Sequence, residues 1–217
     1  LLTTVDPDTP RRWLPQLLDD PSLELRYDAV QKVIAAAAAT EDEQSKSAQY
    51  QRAFRAARDL EQVKACAAAL AELKQSVNLR EHLGFLAEWL IVGPFDNTDL
   101  AGFDTEYPPE RSIDPDASYT GPTGAVSWAP YRSTEEYGMV DLNEAVGDLK
   151  ESAAYAFARF ESDSKQQVQI RLGSQNASKV WLNGKLIGAH EVYHSGGDVD
   201  QYVIPATVRA GENTILL

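Results

Sequence analysis

The sequence predicts an α+β chain built of two domains in series: an α-helical segment over residues 1–85, then an all-β antiparallel sandwich over residues 86–217. Three observations predict it. The composition shifts near residue 86, from a part rich in Ala, Leu, Gln, Glu and Arg with Gly84 as its only glycine to one dominated by Gly, Pro, Thr, Val, Tyr and Trp. Apolar residues recur every three or four positions before the shift and alternate with polar ones after it. Asn-Gly and Gly-Pro pairs then punctuate the alternating runs at the regular spacing of a sandwich.

In the first part, Thr9 before Pro10 and Asp20 before Pro21 predict two helix starts, because proline lacks the N–H that a first helical turn leaves unpaired. From Leu23, the apolar positions Leu23, Tyr27, Val30, Ile34 and Ala37 fall on one face. A third helical stripe runs through Tyr50, Phe54, Ala57 and Leu60, and a fourth through Val63, Ala67, Leu70 and Leu73. Cys66 sits beside the fourth stripe with no histidine close in sequence, which marks a small packed side chain rather than a nucleophile.

In the second part the strand candidates are residues 89–95, 126–131, 153–161, 166–173, 178–182, 185–193, 199–204 and 213–217. Alternation around Val168, Ile170 and Leu172 directs these three to the core. Asn183-Gly184 between Val180-Trp181-Leu182 and Lys185-Leu186-Ile187 predicts a two-residue type I′ hairpin, whose central residues need positive φ. Trp181 must then point away from the face that Val180 and Leu182 share.

Charge and composition exclude several classes. The 33 acidic residues outweigh the 20 basic ones to give a net charge of −13, which repels nucleic acid and anionic membrane surfaces. One cysteine cannot form an intramolecular disulfide, and no apolar run nears the roughly 20 residues of a membrane-spanning helix. Leu1 without a preceding Met, and an end at Ile215-Leu216-Leu217 inside an apolar run, lead us to expect a fragment, truncated at its C-terminal side and taken from a larger secreted or periplasmic protein.

Two resemblances add to this reading. Leu25-Arg26-Tyr27-Asp28-Ala29 aligns with Val63-Lys64-Ala65-Cys66-Ala67, and each follows an Asp-containing turn. The pair resembles HEAT-type helical repeats. Trp181-Leu182-Asn183-Gly184-Lys185, then Gly188 and His190, then Val199 to Ile204, and then Gly211-Glu212-Asn213-Thr214 resemble the second half of a galactose-binding-like jelly roll. The sugar-binding domain of family 2 glycoside hydrolases carries the same order of parts. Trp89-Leu90-Ile91-Val92-Gly93-Pro94-Phe95-Asp96-Asn97 is similar to the opening strand of such modules attached to large secreted bacterial proteins. The resemblance implies a non-catalytic module that either binds carbohydrate or packs beside a catalytic domain; fold alone does not choose.

His190-Glu191-Val192-Tyr193-His194 matches the zinc-hydrolase pattern His-Glu-x-x-His. On a helix the two imidazoles would stack one turn apart, but an extended strand separates them by about 13 Å, beyond one ion. No catalytic residue and no resident cofactor are expected. Asp198, Asp200, Glu191 and Asp163 are oxygen ligands of the kind a structural Ca²⁺ takes, or else belong to a solvated acidic loop.

Carbohydrate modules lay sugar rings on exposed aromatics and ring them with carboxylates; Trp128, Tyr131, Tyr137, Trp181 and Tyr193 are the aromatic candidates. The expected ligand-binding set is Tyr193, Asp198, Asp200, Trp128 and Tyr131, with Ser195-Gly196-Gly197 letting backbone approach a ligand. The expected function is a non-catalytic carbohydrate-binding or docking module whose partners are a polysaccharide or glycan and neighbouring domains of the same chain. The alternatives are a structural spacer positioning a downstream enzyme, or a metallohydrolase using His190, Glu191 and His194.

Overall fold

A computed structural model of the chain describes residues 14–217. The helix start expected at Thr9 and Pro10 lies outside the described residues. The chain divides into two compact units, Leu1–Phe85 and Leu86–Leu217. The first is helical and the second is mostly antiparallel β-sheet, so the architecture is α+β.

Among the described residues, the α-helices of the first unit are α1 (Leu23–Ala38), α2 (Glu43–Ala56), α3 (Leu60–Glu72) and α4 (Leu79–Leu83). One device starts all four. The side chains of Ser22, Asp42, Asp59 and Asn78 each accept a hydrogen bond from the backbone N–H three residues on, which pairs a donor the first turn leaves free. The cap of α1 is therefore Ser22 and not Asp20; Asp20 Oδ1 instead accepts from Ser22 N at 2.8 Å and shapes the turn ahead of it.

The buried face of α1 is Ala29, Val30, Val33 and Ala37, so the expected stripe is rotated and leaves Leu23 and Tyr27 42% and 44% exposed. Two of these four are alanines, Ala29 and Ala37, which a count of large apolar residues undervalues. Ala57 ends α2 in an extended conformation, so Leu60 opens α3 rather than closing the preceding helix. The side chain of Gln62 on α3 donates through Nε2 to Tyr27 O at 3.0 Å and to Gln31 Oε1 at 3.2 Å on α1, which ties the two helices together, while its own Oε1 is buried without a partner. Cys66 is fully buried on the same face of α3, and burial pushes its thiol up to about 11.

The second unit holds ten strands: β1 (Glu88–Asp96), β2 (Ser118–Gly121), β3 (Gly124–Ser127), β4 (Ala129–Arg132), β5 (Ser152–Ser162), β6 (Gln166–Leu172), β7 (Ser178–Leu182), β8 (Lys185–His190), β9 (Tyr202–Val208) and β10 (Gly211–Leu216). Six form one antiparallel sheet in the order β4-β1-β5-β10-β7-β8, while β2–β3 and β6–β9 are separate two-stranded ribbons. Two short helices, α5 (Pro108–Arg111) and α6 (Leu142–Val146), lie in the connections.

The six-stranded sheet buries both faces. On one, Trp89, Ile91, Ala156, Ala158, Val180 and Ile215 meet Ile204 of β9, with Ile170 and Leu172 of β6 packed beside them. On the other, Val92, Phe95, Tyr155, Phe157, Trp181 and Leu216 gather around Trp128, under Tyr107, Tyr119 and Val126. Alternation along β1, β5, β7 and β10 supplies both clusters. Trp181 does point away from Val180, as its place in the strand predicts, but the face it enters is core and leaves it 8% exposed.

Several boundaries differ from expectation. The run 126–131 is two strands: β3 pairs with β2 and β4 pairs with β1, with Trp128 at the switch between them. The run 185–193 ends at His190, where the chain leaves the sheet, and the strand expected at 199–204 begins instead at Tyr202 and continues to Val208 against β6. The Asn-Gly hairpin forms as expected, with φ of 52° at Asn183 and 77° at Gly184.

Candidate functional site

The loop from Glu191 to Gln201 carries three of the five expected ligand residues, and the structure engages it with the chain itself. Arg171, near the end of β6, donates to Asp200 Oδ2 at 2.6 Å, and both side chains are half-buried. Asp200 is thus an ion-pair partner within the fold rather than a carboxylate open to a ligand. Gln201 donates to Ser195 Oγ at 3.0 Å and accepts from Ser174 N at 3.0 Å, while Ser195 N donates to Gln175 O at 2.9 Å. These bonds stitch the loop onto the turn after β6. A Cβ on Gly173 would lie 2.4 Å from Asp198 O, so only glycine permits that approach.

Asp198 stays exposed, and Tyr193 is half-buried. Burial, then the negative charges of Glu191 and Asp104, raise the phenol of Tyr193 above its ordinary range. Asp104, in the segment that follows β1, is thus within electrostatic reach of Tyr193.

The remaining two expected ligand residues lie elsewhere. Trp128 is 9% exposed, donates to Tyr119 Oη at 3.2 Å and sets its ring edge-on to Phe157. It is core, and it has no open face for a sugar ring. Tyr131 packs against the opposite face of the sheet; its hydroxyl donates to Glu144 Oε2 at 3.1 Å and accepts from Asp141 N at 3.2 Å, securing the start of α6. The five residues thus form no common surface, because Trp128 and Tyr131 sit on opposite faces of one sheet.

The His-Glu-x-x-His run is not helical. His190 closes β8 with its ring stacked on Tyr202 at 3.8 Å, and His194 takes a left-handed φ of 56° in the loop. The expected strand spacing ends at His190, and the helical stacking that a shared zinc needs does not form. Asp163 precedes β6, whereas Asp200 pairs with Arg171 close to the other end of that strand; at about 3.3 Å per residue the five steps from Gln166 to Arg171 alone span roughly 16 Å, so the two carboxylates belong to opposite ends of β6. Among the described residues, no group of three or more His, Cys, Asp or Glu is arranged to hold a metal ion. No described helix is long and apolar enough to cross a membrane.

A cleft of about 230 Å³ opens where β1 ends and β5 begins. Pro94, Pro122 and Leu149 give it apolar surface, while Asp96, Thr98, Thr123, Lys150, Glu151 and Ser152 supply polar groups. Each wall has a structural cause. A Cβ at Gly121 would fall 2.8 Å from Pro94 O, so glycine there lets the β2–β3 turn lie against β1 and bring Pro122 and Thr123 to the cleft. Asn97 N donates to Glu151 O at 2.9 Å, which fastens the chain after β1 to the start of β5. Glu151 itself holds a left-handed φ of 50°, a conformation that a non-glycine residue adopts at a cost.

Asp96 Oδ1 accepts from Thr98 Oγ1 at 2.6 Å and from Thr98 N at 3.0 Å, and these bonds hold its carboxyl below the usual carboxylate range. Tyr107 Oη also donates to Asp96 O, closing the turn from inside.

A second polar cluster sits over the sheet. Tyr155 donates to Glu110 Oε1 at 2.5 Å, Lys179 Nζ lies 4.0 Å from Glu110 Oε2, and the same ammonium stands 4.9 Å from the centre of the Phe103 ring. Burial first, then the Glu110 hydrogen bond and charge, raise the Tyr155 phenol far above its ordinary range. The three groups satisfy one another and pin the segment carrying α5 to the sheet. Neither this cluster nor the cleft was among the residues that sequence reasoning singled out. No family model, no curated protein and no solved structure matches the chain.

Proposed function

We propose that the chain is a non-catalytic recognition module of a larger exported protein, whose β unit is a galactose-binding-like jelly roll that binds a glycan and whose helical unit is a HEAT-like pair serving as spacer. The observation that carries the reading is the cleft at the ends of β1 and β5, which combines apolar surface from Pro94, Pro122 and Leu149 with ionised Asp96 and the hydroxyl of Thr123. Sugar recognition uses that mixture: the C–H faces of the ring meet apolar side chains, and its hydroxyls donate to carboxylates. The spacer role of the helical unit is read from its resemblance to paired helical repeats, with four similarly capped helices among its described residues.

The test is calorimetric titration of the whole chain against a broad polysaccharide panel. Dissociation constants between about 1 mM and 1 μM are expected, since a small open site buries few contacts. A purely structural spacer is the second reading, favoured by the burial of Trp89, Trp128 and Trp181, which leaves these aromatic rings inside the fold. Absence of binding across the panel would decide for the spacer.

A further inference from the structure

Resting on the glycan-binding reading, we propose that the cleft between Asp96 and Glu151 is the ligand subsite and that it takes a single pyranose-sized unit, neutral or amine-bearing, while rejecting acidic sugars. Size sets the first limit. At about 230 Å³ the cleft falls below the roughly 300 Å³ where sites for drug-sized ligands begin, so it admits one ring and not a stretch of chain.

Charge sets the second limit. Two carboxylates, Asp96 and Glu151, line the cleft against one ammonium, Lys150, on a protein that already carries −13. A uronate or sulfate entering there meets net repulsion, whereas an amine meets attraction. Asp96 is prepared for this role. Thr98 occupies its Oδ1 twice and keeps the group ionised, leaving Oδ2 to accept from a ligand hydroxyl or ammonium.

Shape supplies the third argument. Leu149 stands 46% exposed at the cleft, an apolar side chain left in water beside charged neighbours, and it offers a surface to the C–H groups of a ring. The left-handed backbone of Glu151, tied down by Asn97, is the kind of strain that persists where the surrounding structure fixes a side chain in place.

The experiment compares glucosamine, methyl glucoside and glucuronate by calorimetry and by chemical-shift perturbation, on the whole chain and on the variants Asp96→Asn, Glu151→Gly, Leu149→Ala and Tyr193→Ala. Glucosamine is expected to bind severalfold more tightly than methyl glucoside, with glucuronate weaker than both. Asp96→Asn should abolish the preference for the amine, Leu149→Ala should weaken all binding severalfold, and Tyr193→Ala, in the other loop, should leave the affinities within twofold. Glu151→Gly removes the second carboxylate while relieving backbone strain, so it tests charge in a protein that still folds.

Glucuronate binding as tightly as glucosamine would overturn the ligand class. Binding of polysaccharide or sugar that survives Asp96→Asn, Glu151→Gly and Leu149→Ala but fails on Tyr193→Ala would overturn the site and leave the recognition reading standing. Absence of binding to any saccharide, polymeric or simple, would overturn both.

Discussion

Asn183 Nδ2 donates to Asn213 Oδ1 at 2.9 Å, which joins the β7–β8 hairpin turn to the start of β10. Asn213 is fully buried and uses its whole amide: Oδ1 also accepts from Arg209 N at 3.0 Å, and Nδ2 donates to Arg209 O and Gly211 O, each at 2.9 Å. Asn183 in turn accepts from Thr214 N through its own Oδ1 at 3.0 Å. These two asparagines, one from each of two motifs in the jelly-roll resemblance, are thus a structural pair, each fixing the other's turn. Asn213→Leu keeps the branched shape, adds bulk and strands four partners at a fully buried position. It should cost about 3 kcal/mol or more, read by urea denaturation with the fluorescence of the β-unit tryptophans. A loss under about 1 kcal/mol would mean that water replaces the amide.

Gly173 and Gly188 both lack room for a side chain, yet what a Cβ would meet differs. At Gly188 it falls 2.5 Å from Ile204 Cδ1, the end of a side chain that can turn, whereas at Gly173 it falls 2.4 Å from Asp198 O, which is backbone. Gly188→Ala should cost about 1–2 kcal/mol and Gly173→Ala about 3 kcal/mol, the upper end of the usual overpacking range. The second should also release the loop bonds around Ser195, visible as faster amide exchange there. Equal costs for the two would show that the loop shifts freely as a unit.

Alkaline stability should separate the two units. Burial raises the Cys66 thiol from 9.0 to about 11, and Tyr155 is raised from 10.0 by burial and then by Glu110. In both cases folding favours the protonated form, so the folded chain holds protons that the unfolded chain has released. The stabilisation is complete below the ordinary value and falls as pH rises past it. The helical unit should begin to weaken near pH 9 and the β unit near pH 10. Cys66→Ala should flatten the first decline, followed by circular dichroism, and the native thiol should react slowly with Ellman's reagent at pH 8. Rapid modification without unfolding would contradict the burial of Cys66.

What the sequence reveals here depends on the range of the interaction. The Asn183-Gly184 turn, β7 and the order of helices before strands follow from neighbours in the chain, and all are present in the fold. The capture of Asp200 by Arg171 depends on how β6 registers against β9, which aligns Arg171 with Val203. No local pattern announces it, so Asp200 reads in sequence as a free carboxylate. The cleft is the extreme case: its walls come from residues 94–98, 122–123 and 149–152, three segments that only the pairing of β1 with β5 and the fold of the β2–β3 turn bring together. Trp128 misleads for a related reason, since an aromatic between two short strands reads as exposed until the strands are seen to belong to different sheets.

The face of α1 gives the last prediction. Periodicity selects Leu23, Tyr27 and Val30, but the helix buries Ala29, Val30, Val33 and Ala37. Val33 is 7% exposed and Tyr27 is 44% exposed, although Tyr27 is by far the larger side chain. The contribution of Tyr27 to the fold runs through its backbone, whose carbonyl accepts from Gln62 Nε2 at 3.0 Å, and that bond survives any side-chain replacement. Tyr27→Ala should therefore change stability by less than about 0.5 kcal/mol, as for an ordinary surface site. Val33→Ala removes two buried methyl groups and should cost about 2 kcal/mol through lost transfer energy and the cavity left behind. Urea unfolding followed at 222 nm compares the two directly. If Tyr27→Ala proved the more costly, the helix would be using the face that simple periodicity selects.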